Sequence, residues 1–323
     1  MRWTRRSMLA AGAALSAFPA LAQVAPAVPP ANPGAPTAVQ GWSDGDERMT
    51  VKVMVNGQGP YDFVVDTGAE RSALSTELAA ELMLPSGPPM IVHGVAGALP
   101  TASALVDSLG VGGRRLDNIT VPLLARENIG AAGVLGIDAV QGQRVVLDFR
   151  HNRILVEDTA PRGRSVEDIV VHARSRFGQL VLVDSYFHSQ PVLVVVDTGA
   201  QNTIGNSALR AKVRYEPTAD ALGSTRTDIF SVTGQTTTGD WALVSAVHVG
   251  GFEMSHLPIV FSDLHSFARW NLQTQPALLL GMDVLRQFET VEIDFARREV
   301  RFKNLITPGQ RLTSTGSRLG LRG

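Results

Sequence analysis

The chain has 323 residues, and its 29 Lys and Arg nearly balance its 30 Asp and Glu, which gives a net charge of −1. This balance gives no reason to expect nucleic acid or an anionic membrane as a partner. The chain contains no cysteine, so disulfides, thiol catalysis and cysteine-ligated metals are excluded. Its length suits two lobes better than one small core.

The first 22 residues are predicted to be an export signal. Thr4–Leu9 (Thr-Arg-Arg-Ser-Met-Leu) resembles a twin-arginine motif, and the apolar run after it ends at Ala20-Leu21-Ala22. An ordinary secretory signal or an uncleaved anchor is the alternative. Because the run is short for a membrane span, we expect cleavage before Gln23 and no stable membrane insertion afterwards. The predicted mature protein is periplasmic or secreted and has a net charge of about −4 once the three leader arginines are removed.

A Pro/Ala-rich stretch follows, and residues 23–45 are predicted to be an extended, unstructured linker, with structure starting near Asp46. The first lobe, residues 46–160, has the pattern of strands and turns. Met49–Val55 and Tyr61–Val65 predict a hairpin, whereas helical spacing after cap-like residues predicts a short helix over Ser75–Leu82. Further strands are predicted over residues 91–95, 102–111, 119–124, 144–149 and 153–156.

One segment of the first lobe occurs twice in the chain. Val64–Ala69 (Val-Val-Asp-Thr-Gly-Ala) returns 131 positions later as Val195–Ala200. In each copy the apolar run predicts a buried strand, and Thr-Gly predicts a tight turn that leaves Asp66 or Asp197 at the strand end. Two such loops related by a pseudo-twofold axis would bring the two carboxylates into contact.

The motifs around these loops repeat in the same order. Gly133–Asp138 corresponds to Leu278–Asp283, and Leu147–Arg150 corresponds to Ile293–Ala296. Such a repeat predicts two copies of one β fold, so the expected class is all-β with a few short helices and two lobes around a central cleft. The predicted second lobe spans residues 178–304, after an inter-lobe connection over 161–177 and before a loose tail over 305–323.

Two further pairs of acids are repeated with these motifs. Asp138 and Asp283 stand at predicted helix starts and are interpreted as N-caps. Asp148 and Asp294 lie in predicted strands, where we expect them to face solvent or to pair with arginine. Duplication alone therefore does not define a site.

Each Asp-Thr-Gly-Ala loop is followed later by an apolar-apolar-Gly segment, Val134–Gly136 in the first lobe and Leu279–Gly281 in the second. This pairing resembles the aspartic proteases, and the compact halves resemble the retropepsin-like branch more than pepsin. The resemblance covers residues 49–304. It implies two pseudo-symmetric acid-protease β-barrel lobes, with Asp66 and Asp197 as the catalytic pair.

The resemblance also implies roles for the residues around the pair. The threonines would hydrogen-bond across the axis, and the glycines would let backbone amides approach the acids; these supporting residues are Thr67, Gly68, Ala69, Thr198, Gly199 and Ala200. Gly136 and Gly281 would lie behind the acid loops, in the strand that closes a psi-shaped motif. Candidate flap residues, which would cover substrate as one hairpin or two, are Val95, Ala96, Gly97, Val232, Thr233 and Gly234.

The chemistry of such a pair follows from its charges. Two carboxylates about 3 Å apart cannot both ionise cheaply, so one holds a proton at moderately acid pH. The ionised member can activate water while the protonated member donates to a peptide carbonyl. No cofactor is needed, and the seven histidines show no zinc-binding spacing, so no metal is expected. The prediction is a monomeric aspartic endopeptidase acting on extended peptides or unfolded protein.

Three alternatives stay open at this point. The first is a non-catalytic peptide-binding or scaffold protein of the same bilobal fold, and the second is a glycosidase that uses two carboxylates. The third alternative is that the two acid loops face each other only in a dimer of chains.

Overall fold

The computed structural model describes residues 37–40, 49–160, 168–176, 179–182, 185–187, 189–219, 224–250 and 252–305. The predicted leader, most of the predicted linker and residues 306–323 of the predicted tail lie outside the described residues, as do residues 161–167 and 177 of the predicted connection. Among the described residues, no helix is long and apolar enough to cross a membrane.

The first lobe is built around a closed barrel. Its elements are β1 (Thr37–Gln40), β2 (Thr50–Val55), β3 (Gln58–Val65), β4 (Ala73–Ser75), α1 (Thr76–Glu81), β5 (Met90–His93), β6 (Ala98–Thr101), β7 (Ser103–Val111), β8 (Arg114–Leu124), α2 (Arg126–Ile129), β9 (Gly133–Leu135), α3 (Ile137–Val140), β10 (Gln143–Asp148) and β11 (Arg153–Asp158). The barrel order is β2-β3-β9-β4-β8-β7. Val51, Val53 and Val55 of β2 are buried, whereas Met54 between them is exposed, as the period of a half-buried strand requires.

The predicted helix of the first lobe is confirmed as α1. Ser75 caps it, because the Ser75 hydroxyl accepts a hydrogen bond from the Leu78 backbone N–H at 3.0 Å. Leu78 and Ala79 then anchor the helix in the barrel core. The short helix directly follows β4, so it holds the end of the acid loop against the barrel.

The second lobe repeats this order. Its elements are β12 (Ile169–Arg176), β13 (Gln179–Leu182), β14 (Ser185–Phe187), β15 (Gln190–Pro191), β16 (Leu193–Val196), β17 (Ile204–Gly205), α4 (Ser207–Arg210), β18 (Tyr215–Pro217), β19 (Arg226–Phe230), β20 (Thr236–Val249), β21 (Phe252–Phe261), α5 (His265–Arg269), β22 (Ala277–Leu280), α6 (Met282–Leu285), β23 (Phe288–Asp294) and β24 (Glu299–Leu305). In both lobes the strand that carries the acid runs parallel to a later strand: β3 pairs with β9, and β16 pairs with β22. The predicted all-β, bilobal fold class is confirmed.

Strands of both lobes share one sheet. Its order runs β1-β11-β10-β23-β24-β12, and the two lobes join where β10 pairs with β23, with Arg144 opposite Asp294. Asp148 and Asp294 lie in this sheet and are buried, so they do not face solvent, and the other half of the expectation, that they pair with arginine, is confirmed. Asp148 accepts a hydrogen bond from Arg153 Nε at 2.8 Å. Asp294 lies 4.0 Å from Arg297 Nε and accepts a hydrogen bond from the Arg297 backbone N–H at 2.8 Å.

Two strands lie where the sequence predicted linkers. β1 falls within the predicted linker and pairs with β11, with Thr37 opposite Val156; structure therefore begins before Asp46. β12 falls within the predicted connection and pairs with β24 and β13. Both strands extend an existing sheet through backbone hydrogen bonds, which a Pro/Ala-rich or charged composition does not reveal.

Candidate active site

Each candidate catalytic acid stands directly after a buried strand. The Asp66 backbone N–H donates to the Leu135 carbonyl at 3.0 Å, and the Asp197 N–H donates to the Leu280 carbonyl at 3.0 Å. The parallel strands β9 and β22 therefore fix the backbone position of the two acids in the same way. The symmetry predicted from the repeat is present in the hydrogen bonds themselves.

Gly136 and Gly281 follow those parallel strands and lie against the back of the acid loops. A Cβ atom at Gly136 would come within 2.4 Å of the Arg71 carbonyl carbon, and one at Gly281 within 2.6 Å of the Asn202 carbonyl carbon. Real Cβ atoms do not approach backbone so closely, so both positions need glycine.

The two acid loops meet, with each glycine placed against the opposite acid. A Cβ atom at Gly68 would lie 2.6 Å from Cγ of Asp197, and one at Gly199 would lie 2.4 Å from Cγ of Asp66. The two carboxyl groups share a side-chain hydrogen bond. The structure thus brings Asp66 and Asp197 together within one chain.

Backbone N–H groups of the loops hold the carboxyl oxygens. Asp66 Oδ1 accepts hydrogen bonds from Gly68 at 2.8 Å and from Ala69 at 3.0 Å. Asp197 Oδ1 accepts one from Gly199 at 2.8 Å, and Ala200 also donates its backbone N–H to this carboxyl group. These donors orient both carboxyl groups before any substrate binds.

The acids differ in their surroundings, although their loops have the same sequence. Asp197 is 6% exposed, whereas Asp66 is half-buried. Burial and the neighbouring charge of Asp66 raise the pKa of Asp197 well above its usual range, against the opposing effect of the backbone donors. The pair therefore retains one proton, and that proton belongs to the pair as a unit.

Thr67 and Thr198 lock the two loops together through four buried hydrogen bonds. The Thr67 N–H donates to Thr198 Oγ1 at 3.0 Å, and the Thr198 N–H donates to Thr67 Oγ1 at 3.0 Å. Each hydroxyl then donates to a carbonyl of the other lobe, Thr67 to Val196 at 2.9 Å and Thr198 to Val65 at 2.7 Å. This arrangement is the cross-axis contact that the resemblance implied.

Asp138 and Asp283 are not N-caps, which corrects their sequence interpretation. The caps of α3 and α6 are Gly136 and Gly281, which make no side-chain cap bond. Asp138 instead accepts hydrogen bonds from the N–H and the hydroxyl of Ser72, at 2.9 and 2.7 Å.

The second lobe contains the same network. Asp283 accepts from the N–H and the hydroxyl of Thr203, at 2.9 and 2.7 Å. The Ser72 hydroxyl in turn accepts a hydrogen bond from the Gly136 N–H, and the Thr203 hydroxyl accepts one from the Gly281 N–H, each at 3.1 Å. Sequence reasoning missed these two hydroxyl residues, although each lies six positions after an acid and was open to detection by comparing the copies.

The candidate flap residues form the turns of two hairpins, β5–β6 and β19–β20. The first turn reaches the second lobe, where the Val95 carbonyl accepts from the His265 N–H at 2.8 Å. The turns also approach each other, since a Cβ at Gly97 would lie 3.1 Å from the side chain of Gln235. Both hairpins therefore extend over the opposite lobe. The sequence alone did not decide between one flap and two.

Each flap valine packs into an apolar cluster of the opposite lobe. Val95 contacts the second-lobe cluster, and Val232 contacts the first-lobe cluster. The clusters include Ala200 and Ala69, the last residues of the acid loops. The flap turns thus close directly beside the acid pair.

A family model described as "Aspartyl protease" matches residues 51–139 and 183–284, which together make up more than half of the chain. One matched region lies in each lobe and contains that lobe's acid loop, flap turn and psi-loop glycine. No curated protein matches the chain. Within the described ranges, no group of three or more His, Asp or Glu side chains could hold a metal ion.

Proposed function

This chain belongs to the aspartyl protease family, and we propose that it is an aspartic endopeptidase that cleaves extended peptides or unfolded proteins. The observation that supports this most is the contact between Asp66 and Asp197, one from each lobe, in a pair that retains one proton. Such a pair offers a base and an acid at the same point, which hydrolysis of an amide requires.

The unequal surroundings of the acids suggest how the roles divide. Asp66 is the more exposed acid, so in our proposal it is ionised and takes a proton from the attacking water. The protonated Asp197 donates to the carbonyl oxygen as the tetrahedral intermediate forms. When the C–N bond breaks, the proton held by Asp66 passes to the leaving nitrogen, and a hydroxyl group of the diol intermediate returns its proton to Asp197 as the carbonyl re-forms, so the pair again holds one proton.

The two hairpins suggest the shape of the substrate. An extended peptide can lie between the acid loops and the flaps and add a strand to them through backbone hydrogen bonds. Closure of the flaps would then exclude bulk water from the reacting bond. For a substrate to enter, the flap valines must first leave the clusters that they occupy.

The alternatives fit the site less well. Carboxyl groups of retaining glycosidases stand about 5 Å apart, whereas these two share a hydrogen bond. A dimer of chains is not required for the pair, because the threonine bonds join loops of one chain. A non-catalytic scaffold would have no need of two acids held in contact. We also propose, from the leader, that the enzyme acts outside the cytoplasm.

The test is cleavage of an unfolded protein by the full-length chain, produced in a host that exports twin-arginine substrates, between about pH 3 and pH 7 to bracket carboxyl titration. Asp66→Asn and Asp197→Asn should each abolish cleavage. Asp117→Asn, at an exposed acid of a surface ion pair, is the matched control and should retain it. Activity that survives in either active-site variant would refute the proposal. N-terminal sequencing of the exported product would test cleavage before Gln23.

A further inference from the structure

The two clusters that receive the flap valines are equivalent in position but unequal in size. The first-lobe cluster contains Ala73, Leu124, Ile129 and Val134, and Ala69, Val92 and Val232 pack against it. The second-lobe cluster contains Ile204, Leu279 and seven further buried apolar residues, and five half-buried side chains pack against it, among them Ala200, Ile229 and Val95. Each cluster adjoins the last residue of an acid loop, so each borders the reacting position.

Three equivalent positions carry a larger side chain in the second lobe. Seven residues after the acid, the first lobe has Ala73 and the second has Ile204. Two residues before the psi-loop glycine, Val134 corresponds to Leu279. In the flap strands, three residues before each flap valine, Val92 corresponds to Ile229.

The second lobe also fills its cluster from behind. Fifteen residues separate β21 from β22, whereas eight separate β8 from β9. The longer segment contains α5 and adds Phe267 and Trp270, both buried in the cluster. The first lobe has Ile129 of α2 in the corresponding place. The first-lobe cluster therefore contains fewer and smaller side chains than the second-lobe cluster.

We propose that these clusters form two unequal side-chain pockets, one on each side of the scissile bond, and that Ala73 and Ile204 set their sizes. The first-lobe pocket accepts a large apolar or aromatic substrate residue, and the second-lobe pocket accepts a small one. The closed flaps already show that each pocket holds an aliphatic side chain, because each contains a valine from the opposite lobe. This inference rests on the proposed peptidase activity.

The test uses a peptide library in which the residues flanking the scissile bond vary independently. Wild type should prefer a large residue on one side and a small residue on the other. Ala73→Ile should lower kcat/KM for the large residue by about tenfold or more, since one methylene group in an apolar pocket changes discrimination by about 10–200-fold. Ile204→Ala should admit a large residue on the other side, and the double variant should reverse the preference.

Milder variants protect the test against a failure to fold. Ala73→Val and Ile204→Val should shift the same preferences in the same directions by smaller factors, with unfolding temperatures measured alongside. Equal preferences on both sides in wild type, or preferences unchanged in folded variants, would overturn the inference. Absence of cleavage by wild type would instead count against the peptidase proposal.

A second inference is carried independently by a histidine pair that joins the first flap to the second lobe. His93 Nδ1 of β5 and His265 Nε2 of α5 lie 3.0 Å apart, and the planes of their rings are parallel to within 1°. The adjacent backbone bond from His265 to Val95 reinforces this contact. At the other flap, Gly234 lies against the uncharged side chain of Asn128.

A hydrogen bond between two imidazoles needs one acceptor nitrogen, so it survives one proton but not two. The other charged groups near His93 are Arg269 and Glu70, which pair with each other at 3.6 Å. Burial first, and then Arg269 and His265, lower the pKa of His93, while Glu70 opposes them. Protonation of His93 therefore requires more acid than usual, and a second proton on the pair would place two cations in contact.

We propose that the two histidines form a latch that holds the first flap closed near neutral pH and releases it in acid. Hydrogen exchange of residues 90–101, corrected for the intrinsic pH dependence, should increase on acidification in wild type. His93→Gln should show fast exchange already at pH 7 and a higher kcat/KM there. Asn128→Ala, the matched change at the other flap, should leave the pH dependence of exchange at residues 90–101 intact. Exchange in His93→Gln identical to wild type at every pH would overturn the proposal, as would wild-type exchange that does not respond to pH.

Discussion

The hydroxyl group of Thr198 offers the sharpest test of how the two lobes are joined. Thr198→Val keeps the shape of the side chain but removes an oxygen that accepts from the Thr67 N–H and donates to the Val65 carbonyl. Both partners belong to the other lobe. A buried backbone group without a partner costs about 1–3 kcal/mol, so the two together should lower the free energy of unfolding by about 2–6 kcal/mol.

Thr198→Ser is the matched control, because it keeps the hydroxyl and loses one methyl group, at a cost of about 1 kcal/mol. The free energies of unfolding are compared by urea denaturation with a common m-value, and kcat is measured in the folded variants. Thr198→Val should lose both stability and kcat, since the relative position of the carboxyl groups depends on the bond. Equal losses in the valine and serine variants would refute the reasoning.

Three further predictions address the acids and the glycines. The pKa of Asp197 is raised in the folded state by burial and by the neighbouring acid, so folding takes up a proton at this group, and its contribution to wild-type stability falls as pH rises above about 4. In urea titrations Asp197→Asn should therefore be more stable than wild type at pH 8 and similar to it at pH 3. Gly199→Ala places a methyl group against the opposite carboxyl group and should abolish cleavage, whereas Gly113→Ala, with open space around it, should not. Although burial raises the pKa of Asp148, hydrogen bonds from Arg153 and a neighbouring histidine outweigh it and hold the pKa below its usual range; Asp148→Asn should therefore lower the melting temperature more at pH 7 than at pH 2, where this carboxyl group is protonated.

The acid loops could be predicted because their function leaves a local pattern that occurs twice. A buried strand, an acid, a hydroxyl and a glycine stand in consecutive positions, and the second copy shows that the pattern is not accidental. The N-cap interpretation of Asp138 and Asp283 failed for a related reason. Position at a helix start is a local signal, whereas the partners of these acids, Ser72 and Thr203, lie 66 and 80 residues away in sequence.

Contacts that depend on the meeting of the lobes could not be predicted from either copy alone. Val95 and Val232 lie in hairpin turns, and nothing in the neighbouring sequence indicates that each packs against the opposite lobe. Strands β1 and β12 show the same limit, because backbone pairing within a sheet requires no particular side chains.

Fusing two lobes in one chain permits the two acids to differ, and this follows from the comparison of the copies. A symmetric pair of identical lobes would give both acids the same surroundings and no preferred site for the shared proton. Here the loops keep identical sequences, and with them the same backbone donors, while the neighbouring positions have diverged: Ala73 corresponds to Ile204, and the longer α5 segment adds Phe267 and Trp270 where the first lobe has Ile129 of α2. The second-lobe cluster contains more buried apolar residues, and the acid of that lobe is the more buried of the two. The diverged positions therefore lie in the lobe with the more buried acid, so in our two proposals substrate selection and the division of acid and base roles have a common structural origin.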